Sequence, residues 1–375
     1  MKNQLKSFLV ALLIAQPLAA QDTLRLIFSG DIMGHEAQIL SAKTSRHKFD
    51  YKPCFEKISP VLERADMAIG NLEVTLPGSR PYTGFMLLPI FRSPDALAVA
   101  LKNTGFDFLM TANNHSNDSR RRGIYHTIEV LRRLGFLQTG TFENAAKRAE
   151  NYPLMVEKKG IKLAFLNYTF VGTNGIPTQR PSIVNKLDTV QIKMDIIKAL
   201  SYKPDFIIAV VHWGIEHSLE TSDAQRWQAE FLTKNGVNLI IGMHPHVVQP
   251  IDSLEVNSSD GIRHRALVAY SLGNFISNHQ MPNADGGILF RIDLVREPGI
   301  KTVRIGRFGY LPIWRMISKN MLGNRVYQVL PISEIENEPA LYPELDEANR
   351  LKMLAYAASV RQRLTCPEWV ELTIP

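Results

Sequence analysis

The chain has 375 residues, 45% of them hydrophobic and 21% charged, which is typical of a globular protein with a large buried core. Its formal net charge of +7 is a modest excess that is compatible with an anionic partner, and the sequence holds no basic stripe with interleaved aromatic residues of the kind that binds nucleic acid. The two cysteines, Cys54 and Cys366, could pair in an oxidising compartment, but they offer no CxxC spacing for a metal.

The first twenty residues have the pattern of a secretory signal peptide. Lys2 and Lys6 precede an apolar run at residues 8–15, and small residues end the segment at Ala20. Because the run is too short to span a bilayer comfortably, we expect cleavage after Ala20 and export to the periplasm or the cell exterior. An uncleaved membrane anchor is the alternative. Loss of the two lysines would lower the formal charge from +7 to +5.

Seven short apolar runs follow, and polar residues stand at or soon after the end of each one. In chain order they are LRLIFS before Gly30-Asp31, MAIG before Asn71-Leu72-Glu73, DFLMTA before Asn113-Asn114-His115, IKLAFLN before Tyr168-Thr169, DFIIAVV before His212, VNLIIG ahead of His244-Pro245-His246, and LVAYS before Leu272-Gly273-Asn274. Their length and their content of β-branched and aromatic residues predict strands that are buried on both faces.

Helical periodicity lies between several of these runs. Residues 122–135 predict a helix that ends in glycine and has one apolar face, formed by Ile124, Ile128, Leu131 and Leu134. Residues 222–236 predict a second helix that also ends in glycine, and it opens with Ser222 and Gln225 at the spacing of a capping box. Alternating strands and helices indicate an α/β architecture.

We assign residues 21–335 to one domain and residues 336–375 to a C-terminal helical extension packed on it. Within the extension, residues 342–364 predict a helix whose core-facing side carries Leu351, Leu354, Ala355 and Ala358. A long loop at residues 174–190 either holds substrate or is a plain surface connection.

The polar clusters lie at the carboxyl ends of the predicted strands, which is the edge where open α/β sheets bind ligands. The candidate site residues collected there are Asp31, His35, Glu73, Asn114, His115, His212, Glu216, His244 and His246. Imidazole and carboxylate groups together suit Zn, Mn or Fe. A bound divalent ion makes hydroxide available near neutral pH, and two ions can clamp the attacking and leaving oxygens of a phosphoryl group.

Each of these side chains also has an ordinary structural interpretation. His244 and His246 could be buried histidines bonded to backbone carbonyls, although the other clusters favour the metal. Three asparagines could simply satisfy turn backbones, namely Asn71, Asn114 and Asn274. Trp213 could pack in the core or stack on substrate, and Glu216 could be a surface acid or a catalytic carboxylate. If substrate enters at this edge, the residues assigned to bind it are His35, Asn71 and Trp213.

Six motifs together resemble, in order and spacing, the CapA family, also called the PGA_cap or poly-γ-glutamate capsule synthesis domain, which is similar to the calcineurin-like metallophosphoesterases. They are GDIMGH, GNLE, ANNHSND, HWGIE, HPHVVQ and YSLGNF, and the resemblance covers about residues 24–280. It implies a four-layer α/β/β/α sandwich of the metallophosphoesterase type with its site at the strand ends. It also implies a role in making, attaching or trimming a poly-γ-glutamate-type polymer at the cell envelope.

Carried across residue by residue, the resemblance implies a set of metal ligands formed by Asp31, Asn114, His212, His244 and His246. It implies that His115 assists the leaving group as an acid. This chain departs from the phosphoesterase pattern at two places, because His35 is displaced relative to the usual Asp-x-His and Glu73 stands in place of the bridging aspartate. Glu73 could bridge two ions or act as a base, so the resemblance is compatible with one metal ion or a weakly held pair.

Two functions of different classes follow. The first is an exported metal-dependent hydrolase or transferase, phosphoesterase-like, that acts on an anionic polymer or a phosphoester, with His115 and Glu216 as catalytic residues. The second is a non-catalytic envelope protein that uses the same cleft to bind polymer or membrane-bound capsule synthesis proteins. The feature that separates them is whether Glu73 restores the missing metal ligand.

Overall fold

The computed structural model of the protein describes residues 22–85, 89–257, 261–297, 299–300, 302–321, 323–365 and 370–372. The predicted signal peptide and Cys366 lie outside these residues, while Cys54 is buried. Among the helices that these ranges contain, none is long and apolar enough to cross a membrane.

The strands alternate with helices along much of the chain. Within the described ranges the strands are β1 (Asp22–Ile32), β2 (Met67–Leu72), β3 (Gly84–Phe85), β4 (Pro89–Ile90), β5 (Phe108–Met110), β6 (Leu137–Thr139), β7 (Thr141–Phe142), β8 (Leu154–Lys158), β9 (Ile161–Thr169), β10 (Ile183–Val184), β11 (Phe206–His212), β12 (Leu239–Met243), β13 (Ile251–Asn257), β14 (Arg263–Ala269), β15 (Asn274–Ile276), β16 (Gly286–Arg296), β17 (Val303–Lys319), β18 (Arg325–Pro331) and β19 (Val370–Glu371). The helices are α1 (Glu36–Ala42), α2 (Lys52–Phe55), α3 (Ser59–Leu62), α4 (Ala96–Asn103), α5 (Arg120–Arg133), α6 (Ala145–Asn151), α7 (Thr189–Ser201), α8 (Asp223–Lys234), α9 (Ile332–Asn337) and α10 (Glu347–Arg363), with a 3-10 turn at Pro339–Leu341.

Two large mixed sheets dominate the part of the chain that the structure describes. Sheet I has the order β18-β17-β16-β1-β2-β5-β6, with β15 beside β1 and β19 beside β17. Sheet II has the order β13-β14-β12-β11-β9-β8. The seven predicted strands are all present as β1, β2, β5, β9, β11, β12 and β14, and within each sheet those that pair with one another are parallel.

The two sheets pack face to face around a shared core. Because successive side chains of a strand point to opposite faces, Leu24, Leu26 and Phe28 of β1 point into this core, where they meet residues of sheet II such as Phe165 and Ile208. A second core covers the outer face of sheet I and includes residues of α2, α4 and α5, and a third covers the outer face of sheet II with α7 and α8. The layers therefore run α/β/β/α, which confirms the predicted architecture.

The capping signals in the sequence act as expected. Helix α5 buries Ile124, Ile128 and Leu131, and Gly135 follows it with a φ of 73°. Helix α8 opens with a capping box in which the Ser222 hydroxyl accepts from the backbone N–H of Gln225. These two helices confirm the assignments made from periodicity.

The predicted face of the C-terminal helix is wrong at Leu351, Ala355 and Ala358, which are exposed, whereas Leu354 packs against the core as predicted. Helix α10 packs on the inner face of sheet I near β17, and it buries Met353, Tyr356, Ala357 and Val360. Leu351 is 57% exposed. The error has a physical reason, because a helix with apolar residues on several sides has no single stripe that periodicity can identify.

Candidate metal centre

The predicted metal ligands lie at or just after the carboxyl ends of strands in both sheets. They are Asp31 in β1, Glu73 after β2, Asn114 after β5, His212 at the end of β11, and His244 and His246 after β12. The backbone N–H of His244 donates to Asp31 Oδ2 over 3.0 Å, which joins the edge of sheet II to the edge of sheet I. The structure therefore brings all six residues to one place between the sheets.

Two glycines permit this close approach of the backbone. A Cβ atom on Gly30, next to Asp31, would lie 2.0 Å from the carbonyl oxygen of Gly273. A Cβ atom on Gly242, two residues before His244, would lie 1.9 Å from the carbonyl oxygen of Tyr270. Only glycine fits at either position without a shift of the backbone.

The turn that carries the paired histidines has an unusual backbone. His244 has a φ of 98° and His246 a φ of 59°, values that side-chain-bearing residues adopt rarely and at some energetic cost. Pro245 lies between them, and its carbonyl oxygen accepts from the backbone N–H of His217 over 2.8 Å. This conformation directs both imidazoles toward the two carboxylates.

Glu73 belongs to both of the fully buried donor groups at this site. One group comprises Asp31, Glu73 and His246, and the other comprises Glu73, His212 and His244, with ligand atoms in each group within 4.8 Å of one another. Glu73 Oε1 lies 3.4 Å from His212 Nε2 and 3.8 Å from His246 Nε2. A single carboxylate shared by two donor groups is the arrangement expected of a bridging ligand.

In the second group, two atoms with lone pairs lie close to the ring nitrogen Nε2 of His212. His212 Nε2 lies 2.8 Å from Asn114 Oδ1 and 3.1 Å from His244 Nδ1. Two imidazole nitrogens and an amide oxygen can satisfy one another only partly through hydrogen bonds, since each nitrogen carries at most one proton. The same atoms are suitable ligands for a borderline divalent cation.

Burial and neighbouring charges shift the ionisation of these groups in opposite directions. Burial would raise the pKa of Asp31, but the hydrogen bond and charge of His246, together with His212, hold that pKa well below its usual range. Burial, with repulsion from Asp31 and Glu216, raises the pKa of Glu73 far above its ordinary value. Burial and the neighbouring imidazoles lower the pKa of His212 strongly and that of His244 to about 3. At neutral pH both imidazoles are therefore uncharged and available as ligands.

The buried carboxylate of Glu73 provides the test of whether this set fits a metal ion. Glu73 is 0% exposed, and neither of its side-chain oxygens has a hydrogen-bond partner. Leaving an acceptor buried and unpaired is costly, and the raised pKa of Glu73 shows that its ionised form is unfavourable in the metal-free site. A divalent cation held by Asp31, Glu73, His246 and, in the second group, His212, His244 and Asn114 would satisfy these oxygens. This set of residues therefore fits a divalent metal ion.

His115 lies beside this centre and has an acidic partner, Asp118, that is not among the predicted site residues. His115 Nδ1 lies 2.7 Å from Asp118 Oδ2, which also accepts from the backbone N–H of Phe91 over 2.6 Å. A proton shared with Asp118 at Nδ1 leaves Nε2 as the nitrogen that can exchange a proton. Asp118 is the last residue of the ANNHSND motif, so its position three residues after the histidine was the signal in the sequence.

Asn274 supports His246 in a comparable way. Its side-chain amide donates to the carbonyl oxygens of His246 and Ala284, and its Oδ1 accepts from His246 Nδ1 over 3.0 Å. The residue satisfies backbone groups, as the structural interpretation held, and it also orients the imidazole so that Nε2 faces the site.

A cleft of ≈ 520 Å³ opens at this edge, and several of the predicted residues line it. They are His35, Asn114, His115, Glu216 and His246. Glu216 is exposed and forms a third donor group with His244 and His246, at the mouth of the site. Asn174, from the long loop, also lines the cleft, and its side-chain nitrogen lies 3.2 Å from His115 Nδ1.

Two residues assigned to substrate lie elsewhere. Trp213 is 0% exposed, stacks on Tyr270 and donates from its indole to the Tyr270 carbonyl oxygen over 2.9 Å, so its assignment to substrate binding is wrong. Asn71 is 1% exposed and donates to Asp31 Oδ1 over 2.7 Å. Asn71 therefore supports the predicted metal ligand Asp31 through this hydrogen bond and does not line the cleft.

Comparison with known proteins places these motifs in a family. The family described as "Bacterial capsule synthesis protein PGA_cap" matches residues 25–279. A "Capsule biosynthesis protein CapA" of Bacillus anthracis is 26% identical in an alignment of 346 positions that covers 88% of this chain and 78% of the relative. A "PGA biosynthesis protein CapA" of Bacillus subtilis is 25% identical in an alignment of 298 positions that covers 78% of this chain and 72% of the relative.

The solved structure of the calcineurin-like phosphoesterase YfkN from Bacillus subtilis is 14% identical to this chain. The match covers 90% of this chain and 100% of the YfkN chain. The TM-score of this comparison is 0.48.

Proposed function

This chain belongs to the PGA_cap family of bacterial capsule synthesis proteins, and from that premise we propose that it is an exported, metal-dependent hydrolase or transferase acting on an anionic polymer or phosphoester at the cell envelope. The observation that carries the proposal is Glu73, a fully buried carboxylate whose two oxygens have no hydrogen-bond partner and which belongs to both buried donor groups. A cleft built only to bind a polyanion would be expected to present Arg and Lys rather than buried carboxylates.

The residues of the chain divide into ligands and a proton donor. Asp31, Glu73, Asn114, His212, His244 and His246 would hold one or two divalent ions such as Zn, Mn or Fe. When bound, such an ion supplies a nucleophilic hydroxide near neutral pH and polarises the bond that is broken. His115 would hold a proton at Nε2 for the leaving group, because Asp118 engages its other nitrogen.

The remaining cleft residues have supporting roles in this proposal. Glu216 stands at the mouth of the cleft, where a carboxylate can accept a proton from an incoming nucleophile or complete the ligand set with His244 and His246. His35 and Asn174 line the same cleft and would contact the substrate.

The test of activity is hydrolysis of a generic aryl phosphodiester and of poly-γ-glutamate, each with Mn or Zn added and with the metal stripped by a chelator. We expect turnover that depends on the metal. Absence of turnover on both substrates, together with absence of bound metal, would favour a non-catalytic protein that binds polymer or membrane-bound capsule synthesis proteins in the cleft. Export is tested separately by amino-terminal sequencing of the mature protein, and a chain that still begins at Met1 would contradict it.

A further inference from the structure

The outer face of sheet II carries a helix, α7, that is apolar on two opposite sides. One side packs in the core through Ile192, Ile196 and Ala199. The opposite side has apolar residues at helical spacing, each more than half exposed: Val190, Met194, Ile197 and Leu200. Surface helices normally keep their outward side polar, so this side has the composition of one that another surface covers.

Helix α8 extends this apolar surface beside α7. Its Trp227 is more than half exposed and stacks on Phe231 with ring centroids 5.7 Å apart. Lys193 of α7 lies over the Phe231 ring, with Nζ 5.7 Å from the centroid, so the two helices share one surface. We call it the α7–α8 face and define it by six residues: Val190, Met194, Ile197, Leu200, Trp227 and Phe231.

The charged groups of α7 and its flanking residues leave an excess of positive charge at this face. Residues 186–203 contain four lysines, and none of them forms an ion pair with a carboxylate among the residues that the structure describes: Lys186, Lys193, Lys198 and Lys203. The same stretch has two acids. Asp195 is buried, and its carboxylate accepts from Arg148 and from the Tyr168 hydroxyl. Asp188 caps α7 by accepting from backbone N–H groups at its first turn.

Helix α8 adds no net charge to this surface. Asp223 pairs with Arg226 over 2.6 Å, and the exposed side chains of Glu230 and Lys234 have opposite charges. The excess of positive charge therefore comes from the lysines of the α7 stretch.

We propose that the α7–α8 face binds the surface of an anionic lipid bilayer, with α7 lying in the plane of the interface. Apolar side chains that enter the acyl boundary, with lysines beside them that reach the phosphate groups, are the pattern of an interfacial helix. Trp227 and the exposed Tyr202, which follows α7, belong to the residue types enriched at membrane–water interfaces. A second copy of the chain is a poorer match, because a two-fold contact would place the lysines of both copies together.

The strand register places the start of α7 beside the edge that carries the metal centre. The backbone N–H of Leu187 donates to the carbonyl oxygen of Thr169 over 2.9 Å, and Thr169 pairs with His212 across β9 and β11. A chain bound through the α7–α8 face would therefore hold its cleft alongside the lipid surface. This orientation is independent of the proposed metal and of the proposed activity.

The experiment compares two double variants of residues 21–375, which contain every described element. One carries Met194→Glu and Ile197→Glu in the α7–α8 face. The control carries Leu40→Glu and Leu351→Glu, which add the same charge at apolar side chains that are also more than half exposed but lie on α1 and α10. Binding is measured by sedimentation with vesicles of phosphatidylglycerol and phosphatidylcholine in equal parts, and with vesicles of phosphatidylcholine alone.

We expect the variant of the α7–α8 face to bind the mixed vesicles about 10-fold or more weakly than the unmodified chain, with the control variant close to the unmodified chain. The unmodified chain should prefer the mixed vesicles to phosphatidylcholine alone, and Lys193→Gln with Lys203→Gln should reduce that preference.

Three results would overturn the proposal: equal binding of the two glutamate variants, no binding of the unmodified chain to the mixed vesicles, or equal binding to both kinds of vesicle. Analytical ultracentrifugation of the same proteins tests the other occupant. A dimer of the unmodified chain that Met194→Glu with Ile197→Glu dissociates would assign the α7–α8 face to a second copy instead.

Discussion

At the scale of single residues, the properties of the site depend most on Glu73. It lies between imidazoles of both donor groups, and its oxygens have no hydrogen bond from the protein. Burial, together with the charges of Asp31 and Glu216, raises the pKa of its carboxyl group, which therefore favours the protonated form unless a cation is present. Glu73 lowers the stability of the metal-free protein, and a bound metal ion would remove this cost. Folding is therefore linked to metal binding.

The role of His115 gives the first prediction. His115→Ala should leave metal content unchanged and lower kcat by roughly 10²–10⁴-fold, the range for loss of one general acid. Asp118→Asn should lower kcat by a smaller factor and change the pH profile of kcat, because Asp118 orients the imidazole without touching substrate. Steady-state kinetics and metal analysis of both variants test this. Loss of metal in His115→Ala would show that the residue is a ligand instead.

The buried imidazoles give a prediction about acid stability of the metal-free protein. The pKa values of His212 and His244 are lowered in the folded state, so below about pH 6.5 the unfolded chain binds protons that the folded chain does not. The contribution of the two histidines to the free energy of unfolding is fully present above this pH, and it is lost as the pH falls toward their folded-state pKa values. The free energy of unfolding should fall by roughly 1 kcal/mol per pH unit for each histidine between pH 6 and 5.

Urea denaturation at pH 7, 6 and 5 in the presence of a chelator measures this slope. Glu73 acts in the opposite direction, since its raised pKa gives a contribution that is present below about pH 4.5 and lost as the pH rises through its folded value. A stability that does not vary between pH 7 and 5 would contradict the assigned ionisation states.

At the scale of elements, the features that could be predicted from the sequence are those with a local pattern. The seven strands are short apolar runs that end in polar residues, and the capping box of α8 is specified by Ser222 and Gln225 within one turn. Residues at the ends of parallel strands converge whatever the details of the loops, which is why the ligand set could be assembled before the structure was known.

Features that are set by tertiary contacts could not be predicted from the sequence. Trp213 follows a strand and carries a ring suited to stacking, yet its place beneath Tyr270 is set by the packing of sheet II. The left-handed backbone of His244 and His246 could not be predicted either, because residues with side chains rarely adopt it. The partnership of His115 with Asp118 was readable from the spacing, but only the fold shows that both are buried.

The corrected face of α10 leads to a prediction about stability. Met353 is 1% exposed and belongs to the core between α10 and sheet I, so Met353→Ala should lower the free energy of unfolding by about 2–5 kcal/mol. Leu351→Ala removes a side chain that is 57% exposed and should change it by less than about 0.5 kcal/mol. Chemical denaturation of both variants distinguishes the two faces. A larger loss for Leu351→Ala would restore the face predicted from periodicity.

At the scale of the whole molecule, the two sheets act as separate supports for one site. Sheet I supplies Asp31 and Glu73, and sheet II supplies His212, His244 and His246. Neither sheet alone holds a complete donor set, so the site exists only when the inner faces of the sheets are packed together. A metal ion bound there would join the two layers and stabilise the folded state by its binding free energy.

We propose above all that the chain holds a divalent metal ion through Glu73 and the paired histidines. The most direct measurement is elemental analysis of protein purified without chelator, for the unmodified chain and for Glu73→Gln and His246→Ala. We expect bound Zn, Mn or Fe in the unmodified protein and its loss in His246→Ala, with weaker retention in Glu73→Gln. An unmodified protein that contains no stoichiometric metal, and takes up none from added Zn or Mn, would contradict it.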